Sequence, residues 1–132
     1  MTLSNSCSRA ARALVVIAGL AGAAGVALAA MAAHGGGDAT RLASASSMLL
    51  FHAAAAMAAT ALGAQGMIHR TLALIAAAGL LAGAALFAGA LVKTEMTGVS
   101  LFPMAAPTGG SLTILSWLVL AGAALWPQRA AV

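Results

Sequence analysis

Charged residues are scarce in this sequence. They make up 6% of the 132 residues, whereas hydrophobic residues make up 63%. A soluble domain of this length needs a charged surface, and soluble domains carry about 25% charged residues on average. The shortage excludes an ordinary soluble globular domain and makes lipid the solvent that suits the long uncharged runs.

Cysteine and clustered basic residues are scarce as well. The lone Cys7 cannot form an internal disulfide, and thiolates cannot supply a zinc site. The six Lys and Arg stand singly at the ends of apolar runs and form no basic stripe, so the formal net charge of +4 does not indicate a nucleic-acid partner. We therefore expect no nucleic acid, no metal and no cofactor.

Four long apolar runs are the main feature that the sequence does contain. A helix rises about 1.5 Å per residue, so about 20 apolar residues cross a hydrocarbon layer about 30 Å thick. Exposed strands would leave backbone groups unpaired in lipid, and the alternating pattern of a barrel is missing. We predict a single all-α domain over 1–132, a bundle of four transmembrane helices at about 13–33, 43–64, 71–92 and 105–126.

The ends of these runs predict an orientation, because cytoplasmic loops are enriched in Lys and Arg. One side would hold four arginines, and the other a polar cap whose charges neutralise one another. The first set is Arg9, Arg12, Arg70 and Arg129, and the cap is His34, Asp38, Arg41, Lys93 and Glu95. Both termini should then be cytoplasmic.

The N-terminal run also allows a second interpretation. Arg9 and Arg12, followed by an apolar run and the Ala-Leu-Ala triplet at 27–29, are features of a secretory signal peptide. The run 13–33 exceeds the roughly 7 to 15 apolar residues of such a peptide, which favours a retained helix. Cleavage stays open as the alternative.

Small residues recur at helical spacing and predict close helix packing. Gly79 and Gly83 form a Gly-x-x-x-Gly pair in the third run, and the first run has the pairs Ala18/Gly22 and Ala21/Gly25. Membrane helices associate through such residues because the backbones can approach closely. The contact could lie within one chain or between copies, or reflect only an Ala- and Gly-rich composition.

His52 is the one ionisable residue deep in a predicted span. A group at that depth is a candidate ligand, proton carrier or hydrogen-bond donor. We favour a neutral imidazole bonded to a Ser, a Thr or a backbone carbonyl of a neighbouring helix. His34, at the outer end of the first helix, is too distant in depth to share an ion with it, and His69 should lie at the solvated edge.

Catalytic arrangements are not visible in the sequence. The spacing shows neither a nucleophile beside a base nor two carboxylates in one pocket. The run Gly35-Gly36-Gly37 lacks the Lys-Ser or Lys-Thr that follows in a phosphate-binding loop. We expect a protein that is not an enzyme and has no catalytic residues.

The segment 102–110 is the most unusual local feature. Pro103 and Pro107 stand four residues apart, and Gly109 and Gly110 follow. A proline in the first turn costs a helix little, which favours an ordinary start of the fourth helix. The alternative is a bent or partly re-entrant backbone of the kind that lines ion sites in transporters.

Several short motifs follow one another in an order that resembles a known family. They are Ala33-His34-Gly35, Phe51-His52-Ala53, the segment 86–91, Thr97-Gly98, Pro107-Thr108-Gly109-Gly110 and Trp117. Together they resemble the YgdD-type family of small inner-membrane proteins of unknown function. The resemblance implies a multi-pass protein of the plasma (inner) membrane with no assigned reaction, substrate or cofactor. It marks His34, His52, Pro107, Gly109 and Gly110 as matches to the family pattern.

The chain also departs from that pattern. Ala88 and Ala90 lack hydroxyls that the family usually carries in this segment, and Ser116 stands where Gly commonly precedes the Trp. Lys93 and Glu95 charge a stretch that is usually apolar. Any role of those hydroxyls in polar contacts is therefore in doubt here.

Two functions remain open on the sequence. The leading one is a non-enzymatic membrane protein in the lipid bilayer, packed alone, as a homo-oligomer or as a small subunit of a larger membrane complex. The alternative is a small transporter or channel subunit, suggested by His52 and the Pro-Gly segment. A small four-helix drug exporter is disfavoured, because the run 13–33 holds no carboxylate.

Overall fold

The protein is a bundle of four α-helices. A computed structural model describes residues 2–35 and 37–126, with the backbone alone for 2–8. The helices are α1 (Thr2–His34), α2 (Ala39–Ala64), α3 (Arg70–Thr97) and α4 (Ala105–Leu125), and each is long and apolar enough to cross a membrane. The predicted all-α fold of four helices is confirmed, and the chain is a multi-pass membrane protein.

Three of the helices are longer than predicted. The apolar runs mark only the part that hydrocarbon requires, whereas helical hydrogen bonds continue through polar residues until a cap ends them. Asp38 caps α2 by accepting the backbone N–H of Arg41 at 3.1 Å, and Gly98 ends α3 with a left-handed φ of 70°. Lys93 and Glu95 therefore belong to the last turns of α3 and not to a loop.

The first and last helices differ from expectation by unequal amounts. α1 begins at Thr2, well before the predicted start at 13, and α4 ends at Leu125, one residue early. Arg129, which the orientation argument also used, lies outside the described residues.

Sequential helices pack as antiparallel neighbours, as the short connections predict. α2 packs along α1 and α3, and α3 packs along α4, whereas α1 contacts α3 only lightly. The apolar stretch of α1 is also the least buried of the four. One side of α1 and the adjoining face of α3 are therefore left uncovered by the rest of the chain.

The interior of the bundle consists mainly of alanine. Among the described residues, Leu80 is the largest side chain that is fully buried. The main core cluster joins α1, α2 and α3 through Ala18, Ala53, Ala56, Ala59, Ala77 and Leu81. Such short side chains let the helix backbones approach closely, which is how helices gain contact energy in lipid.

Candidate functional site

The predicted Gly79/Gly83 pair lies at the contact between α3 and α4 of the same chain. A Cβ on Gly83 would stand 2.7 Å from the carbonyl oxygen of Gly109, and a Cβ on Gly109 would stand 2.6 Å from the backbone nitrogen of Phe87. A Cβ on Gly79 would collide with the hydroxyl of Ser116. Gly109 therefore allows the backbones of α3 and α4 to touch, because a side chain at this position would collide with the backbone of α3.

The two predicted pairs in α1 behave differently from each other. Gly25 lies against α2, where the hydroxyl of Ser46 donates a 2.7 Å hydrogen bond to its carbonyl oxygen. Gly22 has open space where a side chain would stand, although Ala18 is buried. Ala18, Ala21 and Gly25 are thus used for packing within the chain, whereas Gly22 is not.

The Pro-Gly segment forms a plain helix start. α4 runs without interruption from Ala105 to Leu125, with Pro107 exposed in its first turn. Met104 precedes it with a left-handed φ of 68°. Gly110 has free space around it, and its carbonyl accepts the hydroxyl of Thr113 at 2.7 Å. The re-entrant alternative has no counterpart in this backbone.

His52 lies at the midpoint of α2, is 9% exposed, and makes two hydrogen bonds. Its Nδ1 lies 2.7 Å from the carbonyl oxygen of Met48, one turn earlier, and its Nε2 lies 3.4 Å from the indole Nε1 of Trp117 in α4. A carbonyl can only accept and an indole N–H can only donate. The neutral ring with its proton on Nδ1 satisfies both partners.

The predicted interhelical bond of His52 is therefore present, but the expected partner was wrong. It is the indole of Trp117, whose ring lies edge-on at a centroid distance of 6.2 Å. The carbonyl that His52 contacts belongs to its own helix. Sequence reasoning missed Trp117 as a site residue because the register of α2 against α4 cannot be read from hydropathy.

The other two histidines lie elsewhere in the bundle. His34 is exposed at the last position of α1. His69 caps α3, with its Nδ1 3.4 Å from the backbone nitrogen of Leu72. Across the described part of the chain, His, Cys, Asp and Glu do not form any group of three that could hold a metal ion.

Three residues of the predicted polar cap form a connected cluster that joins α2 to the end of α3. Arg41 Nη1 lies 2.9 Å from Glu95 Oε2, and Arg41 Nη2 lies 3.5 Å from Asp38 Oδ2. Glu95 Oε1 also accepts the backbone N–H of Asp38 at 2.7 Å. The expected neutralisation holds for these three side chains, and Glu95 lies at the positive N-terminus of α2.

The middle of the chain matches a protein family. The model of a family described as a protein of unknown function (DUF423) matches residues 28–110. The chain belongs to DUF423. No curated protein and no solved structure matches it.

The DUF423 match covers the packing core more fully than the termini. It includes the end of α1, all of α2 and α3, and the first turns of α4. His34, His52, Pro107, Gly109 and Gly110 lie inside it, as do the three residues of the polar cluster. Trp117, the partner of His52, lies seven residues beyond its end.

Proposed function

We propose that this DUF423 protein is a non-enzymatic membrane protein whose role is carried by a closely packed bundle, alone or as a small subunit of a larger membrane assembly. The observation that supports it best is that the buried polar side chains bond inside the bundle. The buried polar residues are Ser46, His52, Thr60, Thr113 and Ser116.

These groups already have partners at good distances. Ser46 bonds across to α1, whereas Thr60 and Ser116 donate to carbonyls one turn earlier in their own helices at 2.8 and 2.7 Å. A polar group that is paired within the protein offers little to a substrate, since binding would first break that bond. The arrangement supports packing over catalysis.

We also propose the plasma (inner) membrane as the location, with both termini cytoplasmic. Arg9, Arg12 and Arg70 lie at one end of the bundle, whereas Arg41 at the other end is neutralised by two carboxylates. That asymmetry supports a cytoplasmic location for the end of the bundle that carries Arg9, Arg12 and Arg70.

We further propose that the protein is of the YgdD type. This proposal rests on the order of motifs from Ala33-His34-Gly35 to Trp117.

A small transporter or channel subunit is the alternative function. The observation that favours it is the depth of His52, about 20 Å along α2 from Ala39 at 1.5 Å per residue. Ionisable residues at such depth often belong to ion or proton pathways.

One purification separates these functions. The tagged protein is extracted from its native membrane in mild detergent, co-purifying chains are identified by mass spectrometry, and an absorption spectrum is recorded. A partner of fixed stoichiometry makes it a subunit, and a single colourless species makes it an independent bundle. A cofactor spectrum, or a proton flux in reconstituted vesicles that His52→Gln abolishes, would overturn the proposal.

A further inference from the structure

An apolar groove runs between α1 and α3 on the uncovered side of the bundle. It consists of three adjoining segments of about 390, 290 and 570 Å³. Leu14 and Ala78 line both the first and the second segment, and Ile17 and Ala85 line both the second and the third. The segments therefore form one continuous channel along the two helices.

The lining of the groove suits a hydrocarbon chain. Apart from Thr71, the side chains that line it are aliphatic or absent. From Ala10 to Leu28 the α1 wall is about 27 Å long at 1.5 Å per residue, close to the roughly 30 Å hydrocarbon thickness of a bilayer. An acyl chain of one leaflet would fill about half of that length.

One mouth of the groove carries positive charge. α1 and α3 run in the same direction, so this mouth lies beside the first turn of α3 and beside Ala10, which is about two turns inside α1. Arg9 and Arg70 stand one turn before Ala13 and Leu74 of the lining. Because helical side chains lean toward the N-terminus, we expect both guanidinium groups to extend past the apolar wall to headgroup depth.

The charge at this mouth is not balanced by nearby acids of the described chain. Asp38 and Glu95 both lie at the opposite end, in the cluster with Arg41. The N-terminus of α3 begins at Arg70 and adds the partial positive charge of its unpaired N–H groups. Basic pockets of this kind between membrane helices suit phosphate headgroups.

We propose that the α1–α3 groove binds an anionic phospholipid. Its phosphate lies between Arg9 and Arg70, and one acyl chain lies along the first two segments, past Leu14 and Ala78. The helix of a second copy could also fill an apolar groove, but it would leave the positive mouth without a partner. The positive charge of Arg9 and Arg70 therefore favours an anionic lipid over a second copy of the chain.

Native mass spectrometry of the full chain tests the proposal. The protein in mild detergent is offered equal amounts of phosphatidylglycerol and phosphatidylethanolamine with identical acyl chains. The parent should retain phosphatidylglycerol preferentially. Each of Arg9→Gln and Arg70→Gln should lower that retention about fivefold, and the double variant about 25-fold, since a basic residue at a membrane surface contributes about that factor.

Two matched controls separate charge from fold. Lys93→Gln removes the same charge at the other end of α3 and should leave retention unchanged. Ala78→Leu should lower retention of both lipids by filling the groove, whereas Ala54→Leu, at an exposed α2 position outside it, should not.

Three results would overturn the proposal. They are equal retention of the two lipids by the parent, the same retention in the double arginine variant as in Lys93→Gln, and a lipid-free dimer that Ala78→Leu dissociates. The last result would assign the groove to contact between copies.

Discussion

The indole nitrogen of Trp117 lies 3.4 Å from Nε2 of His52, and this hydrogen bond joins α2 to α4. These two helices share little other contact, because α4 packs mainly on α3. The Nδ1 atom of His52 is bonded in turn to the backbone carbonyl oxygen of Met48. The pair therefore links the middle of α2 to the middle of α4.

Replacing His52 should separate hydrogen bonding from ionisation. His52→Leu should lower the free energy of unfolding by about 0.6 kcal/mol and by no more than about 1.7 kcal/mol, the average and the maximum for hydrogen bonds between membrane helices. His52→Gln and His52→Asn should keep the fold, because an amide can accept from the indole. Thermal unfolding in detergent measures both.

Trp117 provides the matched test of the same bond. Trp117→Phe removes the donor and keeps an aromatic ring, and the double variant with His52→Leu closes a double-mutant cycle. Phe51→Leu, at an exposed neighbour, is the control. A His52→Leu protein as stable as its parent would rule out the structural role of this bond.

Gly109 and Gly110 should respond in opposite ways to the same substitution. Gly109→Ala places a methyl group against the backbone of Phe87 and Gly83, and should cost about 1 to 3 kcal/mol of stability. Gly110→Ala meets no atom within 4 Å and should be neutral or stabilising by up to about 1 kcal/mol, because alanine favours helix. Equal melting temperatures for the two variants would contradict the close contact of α3 and α4.

Glu95 should hold the start of α2 in place. Glu95→Ala removes the bonds to Arg41 and to the backbone N–H of Asp38. It should cost about 1 to 2 kcal/mol, since the guanidinium is partly solvated. Hydrogen exchange at the Asp38 amide should speed up. Lys93→Ala, two residues away, serves as the control, and unchanged exchange in Glu95→Ala would argue against the cluster.

The orientation is open to a direct labelling test. In a Cys7→Ser background, Ser100→Cys should react with a membrane-impermeant maleimide added to intact cells. Gln65→Cys should react only after the membrane is opened. Both positions lie in exposed connections, at opposite ends of the bundle. The reverse pattern would place the termini outside.

The number and type of the helices could be predicted from the sequence because lipid imposes a single strong rule on apolar length. Their ends could not, since they depend on caps. Asp38 and Gly98 extend α2 and α3 into polar segments that hydropathy excludes. For that reason the predicted third helix, 71–92, stopped short of Lys93 and Glu95, which belong to α3.

The sequence predicted the types of contact in the candidate site but not the residues that make them. His52 was expected to bond across helices by its depth alone, but the choice of Trp117 depends on how two helices rotate, which composition does not encode. The Gly79/Gly83 pair was expected to pack, and its partner Gly109 became known only with the register of α3 against α4. The groove between α1 and α3 had no sequence signal, because it results from the light contact between those helices.

The alanine interior gives this protein an unusual mutational tolerance. Most of its buried hydrophobic side chains are alanines that end at Cβ, so truncation of a side chain, the usual damage to a water-soluble core, has few targets besides the buried leucines. Growth by one methyl group is the harmful change inside, whereas Leu, Ile, Val, Met and Phe can exchange freely on the outer faces. Sequence drift should therefore alter the outline that the bundle presents to lipid long before it alters the spacing of the helices.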